Sequence, residues 1–143
     1  MKTDIKTRKD IQLVVNAFYI KLMKDPEIGH FFNDVVQLDL DLHLPIIIDF
    51  WEGILLDNPV YRGNPMVKHI ELNRKSRIHS SHFERCLTVW EETIQSQFEG
   101  AICDKAIERD QGIADLMEHK LIEIYDSSFL FCNLMQMLPL KLK

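Results

Sequence analysis

Glycine is scarce in this chain, five in 143 residues, and nowhere do apolar and polar residues alternate for long. Both absences argue against a sheet built on tight hairpin turns. Cysteine is scarcer still. Cys86, Cys103 and Cys132 make no CxxC and no paired spacing, which excludes a disulfide framework and reads as reduced thiols in a cytoplasmic protein. A basic surplus is missing as well: the net charge is −5 and the basic run from Asn73 to Arg77 is short, so nucleic acid is not an expected partner. No apolar run approaches the ~20 residues of a membrane span, and the opening MKTDIKTRKD is too charged for a secretion signal. HExxH, GxSxG, P-loop and GxGxxG motifs do not occur.

Apolar residues at helical spacing are plentiful. They make up 46% of the chain, enough for a core without disulfide or metal staples, and the length fits one domain spanning 1–143 with an apolar extension over 126–143. Ile11, Val14, Val15, Phe18, Tyr19 and Leu22 form one stripe. Thr7 and Asp10 are spaced to cap its start, and Pro26 and Gly29 follow its end. A second helix is expected from about Asp39 to Leu56 with Leu40, His43, Leu44, Ile47, Trp51, Ile54 and Leu55 inward. Pro45 in it belongs to the first turns or marks a kink. A short helix around Met66 to Leu72 carries His69. The next, with Ser80 or Ser81 as its cap, carries Phe83, Cys86, Leu87, Trp90, Ile94 and Phe98. The last carries Ala106, Ile107, Ile113, Ala114, Met117, Leu121, Ile124 and Tyr125. The fold class is all-α.

Two histidines stand in apolar company. His43 lies on its helix's inward stripe, and His69 is flanked by Val67, Ile70 and Leu72. An imidazole buried there costs free energy unless its nitrogens find partners. The plain reading is a satisfied boundary histidine; the sharper one is a ligand. His79 and His82 are spaced like a metal pair, but no carboxylate or cysteine set completes a tetrahedral site. Glu91 and Glu92 read as a solvated face.

The runs NAFYIKLMKDPEIGHFF, HLPIIIDFWEGILL, YRGNPMVKHIEL and IHSSHFERCLTVWEET, in this order over roughly Asp10 to Ile124, resemble the truncated haemoglobins, and within them the third, P-type group of bacterial two-over-two globins. The resemblance implies a helical sandwich around a haem b pocket. It makes His69 the proximal iron ligand, aimed by the Gly-Asn-Pro turn before it, and Tyr19 and His43 a distal pair able to hydrogen-bond a bound gas. Phe32, supported by Phe31, would pack at the haem edge. Ile47, Phe50 and Trp51 would line the pocket, and Lys68, Arg74 and Tyr61 are candidates to meet the propionates. The departure is Cys86, where the group usually has tryptophan. It implies extra room on that side and one hydrogen bond fewer for a bound ligand, with a thiol that is either a small core hydrophobe or a redox group.

The implied function is binding of O2 or another diatomic gas, in nitric-oxide or peroxide detoxification. Any catalytic cycle needs an external electron donor, since so short a chain has no reductase domain, and the expected state is a monomer or weak homodimer. Two rivals stay open. One is a six-coordinate haem, with both His43 and His69 on the iron, acting in redox or sensing. The other is a haem-free helical interaction module using the Ser127 to Leu140 stretch.

Overall fold

The computed structural model describes residues 2–126, with side chains as far as Leu121. The Ser127 to Leu140 stretch, Cys132 and the side chains of Ile124 and Tyr125 lie outside the described residues. The elements are α1 (Arg8–Lys24), a π-helical turn (Phe31–Val35), α2 (Leu40–Leu55), α3 (Pro65–Lys75), α4 (Ser80–Gln97) and α5 (Ala101–Asp126). None of these helices is long and apolar enough to cross a membrane. Helix α1 packs on α2 and on α4, α4 packs on α5, and α2 and α3 also touch α5. Two helix pairs, α1/α2 and α4/α5, therefore form the two-over-two sandwich, with α3 laid along α5.

Local chemistry starts and stops the helices. Thr7 and Asp10 form the reciprocal cap expected of α1, and all six residues of its stripe are buried. Asp39 caps α2 by accepting from the Asp41 amide. Pro45 stands in the second turn of α2, where the hydrogen bond it cannot make faces solvent, since both Asp41 and Pro45 are exposed. Asn64 accepts from the amides of Met66 and Val67, and Pro65 occupies the first helical position of α3. That helix runs on to Lys75, longer than the sequence suggests. The start of α5 is held from a distance. The Asp4 carboxylate accepts from the amides of Ile102 and Cys103, so the chain's first residues cap its last helix. Gly100 sits beside it at φ +137°, and a Cβ there would lie 2.5 Å from the Asp4 carboxyl carbon.

Two expectations need correction. Neither Ser80 nor Ser81 caps α4. His79 precedes the first turn, and its amide donates to Nδ1 of His82; a ring nitrogen three residues on does the work usually done by a carboxylate. In α2 the deeply buried set is Ile48, Trp51, Glu52 and Leu55, while His43, Leu44, Ile47 and Ile54 are only partly covered. Glu52 can be buried because Arg8 Nη1 donates to it at 2.7 Å and Asn58 donates to its other oxygen.

The core is aromatic where the pairs meet. Trp51 stacks on Trp90 with ring centroids 4.7 Å apart, and Phe18 meets Trp90 edge-on at 4.9 Å. Trp90 Nε1 donates to the Ala106 carbonyl at 3.2 Å. An ion pair with a buried carboxylate joins the end of α1 to α4: Arg85, itself partly exposed, donates from Nε to Asp25 at 2.7 Å. Burial alone would raise the Asp25 carboxyl, but Arg85 and the amides of Glu27 and Ile28 outweigh it and hold the group below the usual carboxylate range.

Trp90→Ala removes contacts to three helices and should cost about 3 to 5 kcal/mol in urea unfolding. Leu42→Ala, at a side chain 71% exposed, should stay within about 0.5 kcal/mol of wild type. Equal losses in the two variants would contradict this core.

Candidate functional site

A cavity opens between the helix pairs. Its wall takes Phe18 and Tyr19 from α1, Ile47, Phe50 and Trp51 from α2, and Pro65 and His69 from α3. Tyr61 joins from the loop before α3. Helix α4 gives Phe83, Cys86, Leu87 and Trp90, and α5 gives Asp110, Ile113, Ala114 and Met117. The wall is largely apolar and aromatic, with five polar side chains: Tyr19, Tyr61, His69, Cys86 and Asp110.

His69 is fixed by its own helix. Its Nδ1 donates to the Pro65 carbonyl, one turn earlier, at 2.7 Å. That carbonyl is among the first of α3, so the bond sets the ring's tilt as the helix begins. Nε2 has no hydrogen-bond partner among the described residues, and the ring lines the cavity. Burial pushes the imidazole below its ordinary pKa, against the opposing pull of the Pro65 carbonyl. The ring is therefore neutral near pH 7, with an available lone pair on Nε2.

Tyr19 and His43 form a pair. Nε2 of His43 and the Tyr19 hydroxyl are 3.1 Å apart, and their rings meet edge-on. Phe32 meets the other side of the Tyr19 ring edge-on at 5.9 Å. Burial lowers the His43 pKa, with His69 and Lys68 adding to the effect, and raises that of Tyr19 strongly. Both groups are thus uncharged near pH 7. The Cys86 thiol is likewise pushed up by burial, so it is a poor nucleophile and behaves as a small core group.

Of the residues singled out from sequence, Tyr19, Ile47, Phe50, Trp51, His69 and Cys86 share the cavity wall. His43 and Phe32 reach it only through Tyr19. Phe31 is buried elsewhere, against His30 and His82. Lys68 is exposed. Sequence reasoning missed Asp110, since a lone acid on a helix reads as a solvated position. It gave Tyr61 a weaker role than its place warrants: the ring folds back edge-on to Phe50 at 5.1 Å. Burial raises the Asp110 carboxyl to about 7.

This donor set fits a haem. A flat apolar ring system suits the aromatic wall, and a neutral imidazole with one nitrogen tied back and the other open is the usual axial ligand arrangement.

Comparison with known proteins agrees with the geometry. No protein-family model matches the chain. It is 27% identical over 124 residues to the group 3 truncated haemoglobin ctb of Campylobacter jejuni, covering 85% of this chain and 95% of that protein. The crystal structure of the group III truncated haemoglobin from Campylobacter jejuni superposes with a TM-score of 0.75 at 28% identity, over the same shares of the two chains. The resemblance read from the motifs is borne out in sequence and in fold.

The raised Asp110 pKa predicts a signed effect on stability. Between about 3.8 and about 7 the unfolded chain has lost this proton while the folded chain keeps it. Folding is therefore penalised progressively as pH rises through that window, and the penalty is constant above it. Asp110→Asn should raise the melting temperature of the ligand-free protein at about pH 8 and change it little at about pH 4. An equal change at both would contradict the assignment.

Proposed function

We propose that this chain, similar in sequence and fold to the third group of truncated haemoglobins, holds haem b in the cavity and binds O2 or another diatomic gas there. The observation that carries the reading is His69. Its Nδ1 is committed to Pro65, which leaves Nε2 as an unpartnered neutral donor on an aromatic cavity wall. His69 would hold a haem bound here, and the haem would supply an iron able to take a diatomic gas.

The chain's own residues divide the remaining tasks. The bond to Pro65 fixes the tautomer and the ring plane of His69 and makes its free nitrogen more basic. With its proton on Nε2, His43 donates to the Tyr19 oxygen and leaves the Tyr19 O–H free to turn into the cavity. The raised pKa of Tyr19 keeps that proton on the hydroxyl at working pH, so the group can donate to a polar gas. Phe32 packs on the Tyr19 ring and limits its movement. Phe18, Ile47, Phe50, Trp51 and Phe83 exclude water, which strengthens each remaining hydrogen bond. The exposed cations Lys68 and Arg74 on α3 and the hydroxyl of Tyr61 are our candidates for the two propionates.

An apolar site with a few hydrogen-bond donors suits holding oxygen or turning over nitric oxide or peroxide, with electrons from an external donor. The sparse cysteines, with Cys86 and Cys103 free among the described residues, fit a cytoplasmic setting. The six-coordinate alternative would require His43 to leave Tyr19, giving up the hydrogen bond that pairs them, so we favour an open distal position.

The test is the visible absorption spectrum of the protein titrated with haem, oxidised, reduced, and reduced under carbon monoxide. Wild type should take up one haem per chain and show a sharp band that shifts with carbon monoxide. His69→Ala should lose or alter that band. No stoichiometric uptake would discard the gas-binding reading in favour of a haem-free helical module.

A further inference from the structure

We propose that the Asp110 carboxyl is a second ligand-directed donor of this cavity, acting from α5 as Tyr19 acts from α1. The proposal deepens the haem and gas reading above and rests on it.

The argument begins with how this chain treats its other enclosed acids. Asp4 accepts from the amides of Ile102 and Cys103. Asp25 holds Arg85. Glu52 holds Arg8 and Asn58. These three acids have been given partners, as buried polar groups generally are. Asp110 differs from them: it is partly buried, it lines the cavity, and no hydrogen bond or ion pair reaches it among the described residues. A carboxyl in apolar surroundings without a counter-charge holds its proton rather than pay for an unpaired buried charge. Burial as the sole cause raises it to about 7, so the group offers an O–H through the lower half of the physiological range.

The neighbours leave that O–H free. The titratable groups sharing the cavity with Asp110 are Tyr19 from α1, His69 from α3, Cys86 from α4 and Tyr61 from the loop. The α2 residues there, Ile47, Phe50 and Trp51, do not titrate. Asp110 shares the cavity wall with Tyr19 and Cys86, and its charge, when present, adds to the rise that burial gives both of their pKa values. Tyr19 and Cys86 keep their protons, and His69 is neutral, so among the described residues that line the cavity none is a cation that would draw the Asp110 proton away. Cys86 is small and a weak donor, so α4 supplies little polar contact of its own. A polar ligand atom held there would find Tyr19 on one side and Asp110 on another.

The experiment is the infrared C–O stretch of carbon monoxide on the reduced, haem-loaded protein, at about pH 5.5 and about pH 8.5, where this carboxyl changes charge. Wild type should show two bands that exchange near pH 7. Asp110→Asn keeps a donor but cannot titrate, so it should show one pH-independent band near the wild-type acid position. Asp110→Leu should show one pH-independent band, displaced from that position. At the acid pH it should also release O2 about fivefold faster, as expected for one lost hydrogen bond. A wild-type band that does not move with pH, or one that moves equally in both variants, would overturn the role of Asp110 while leaving the haem reading intact. Failure of wild type to take up haem would remove both, and the two failures are separated by measuring haem uptake first.

Discussion

The indole of Trp90 touches three other helices at once. Trp51 of α2 stacks on its face, Phe18 of α1 meets it edge-on, and its N–H bonds to the Ala106 carbonyl of α5. Every wall of the cavity except α3 is positioned relative to this one side chain. Because the N–H is spent on Ala106, Trp90 lines the cavity as a purely apolar surface, although it carries a polar atom. The polar groups on the wall are therefore few: Tyr19 on α1, Tyr61 in the loop before α3, His69 on α3, Cys86 on α4 and Asp110 on α5.

That economy sets the electrostatics. An aromatic cavity raises the cost of any charge inside it, which keeps the His69 imidazole neutral and retains the protons of Tyr19, Cys86 and Asp110. The same burial thus produces a lone pair on α3 and O–H donors on α1 and α5. Charged groups sit outside, as in the Arg8 bridges to Asp49 and Glu52 that tie α1 to α2. The π-helical turn after α1 packs against α1 and α3, which brings Phe32 onto the Tyr19 ring and connects the two sides of the site.

Much of this was legible in the sequence because it is written locally. The α1 stripe has a period that only a helix satisfies, and the Thr7–Asp10 cap is a matter of three residues' spacing. His69 stood out because a histidine after a Gly-Asn-Pro turn, among aliphatic residues, needs a reason. The parts that escaped are tertiary. The face of α5 that carries Asp110 closes on the cavity only when α4 and α1 are in place, so no window of neighbouring residues marks it as enclosed. The cap of α4 escaped because histidine is not a usual acceptor there, and Ser80 and Ser81 offered a conventional choice. The burial of Glu52 on α2 depends on Arg8, more than forty residues earlier in the chain.

The proposed haem site stands or falls on whether the free nitrogen of His69 bonds the iron. It is tested most directly by the iron–nitrogen stretching band in the resonance Raman spectrum of the reduced, haem-loaded protein. Wild type should show a band that disappears in His69→Gly and returns when imidazole is added to that variant. The same band in His69→Gly without imidazole would contradict it, because another residue would then hold the iron.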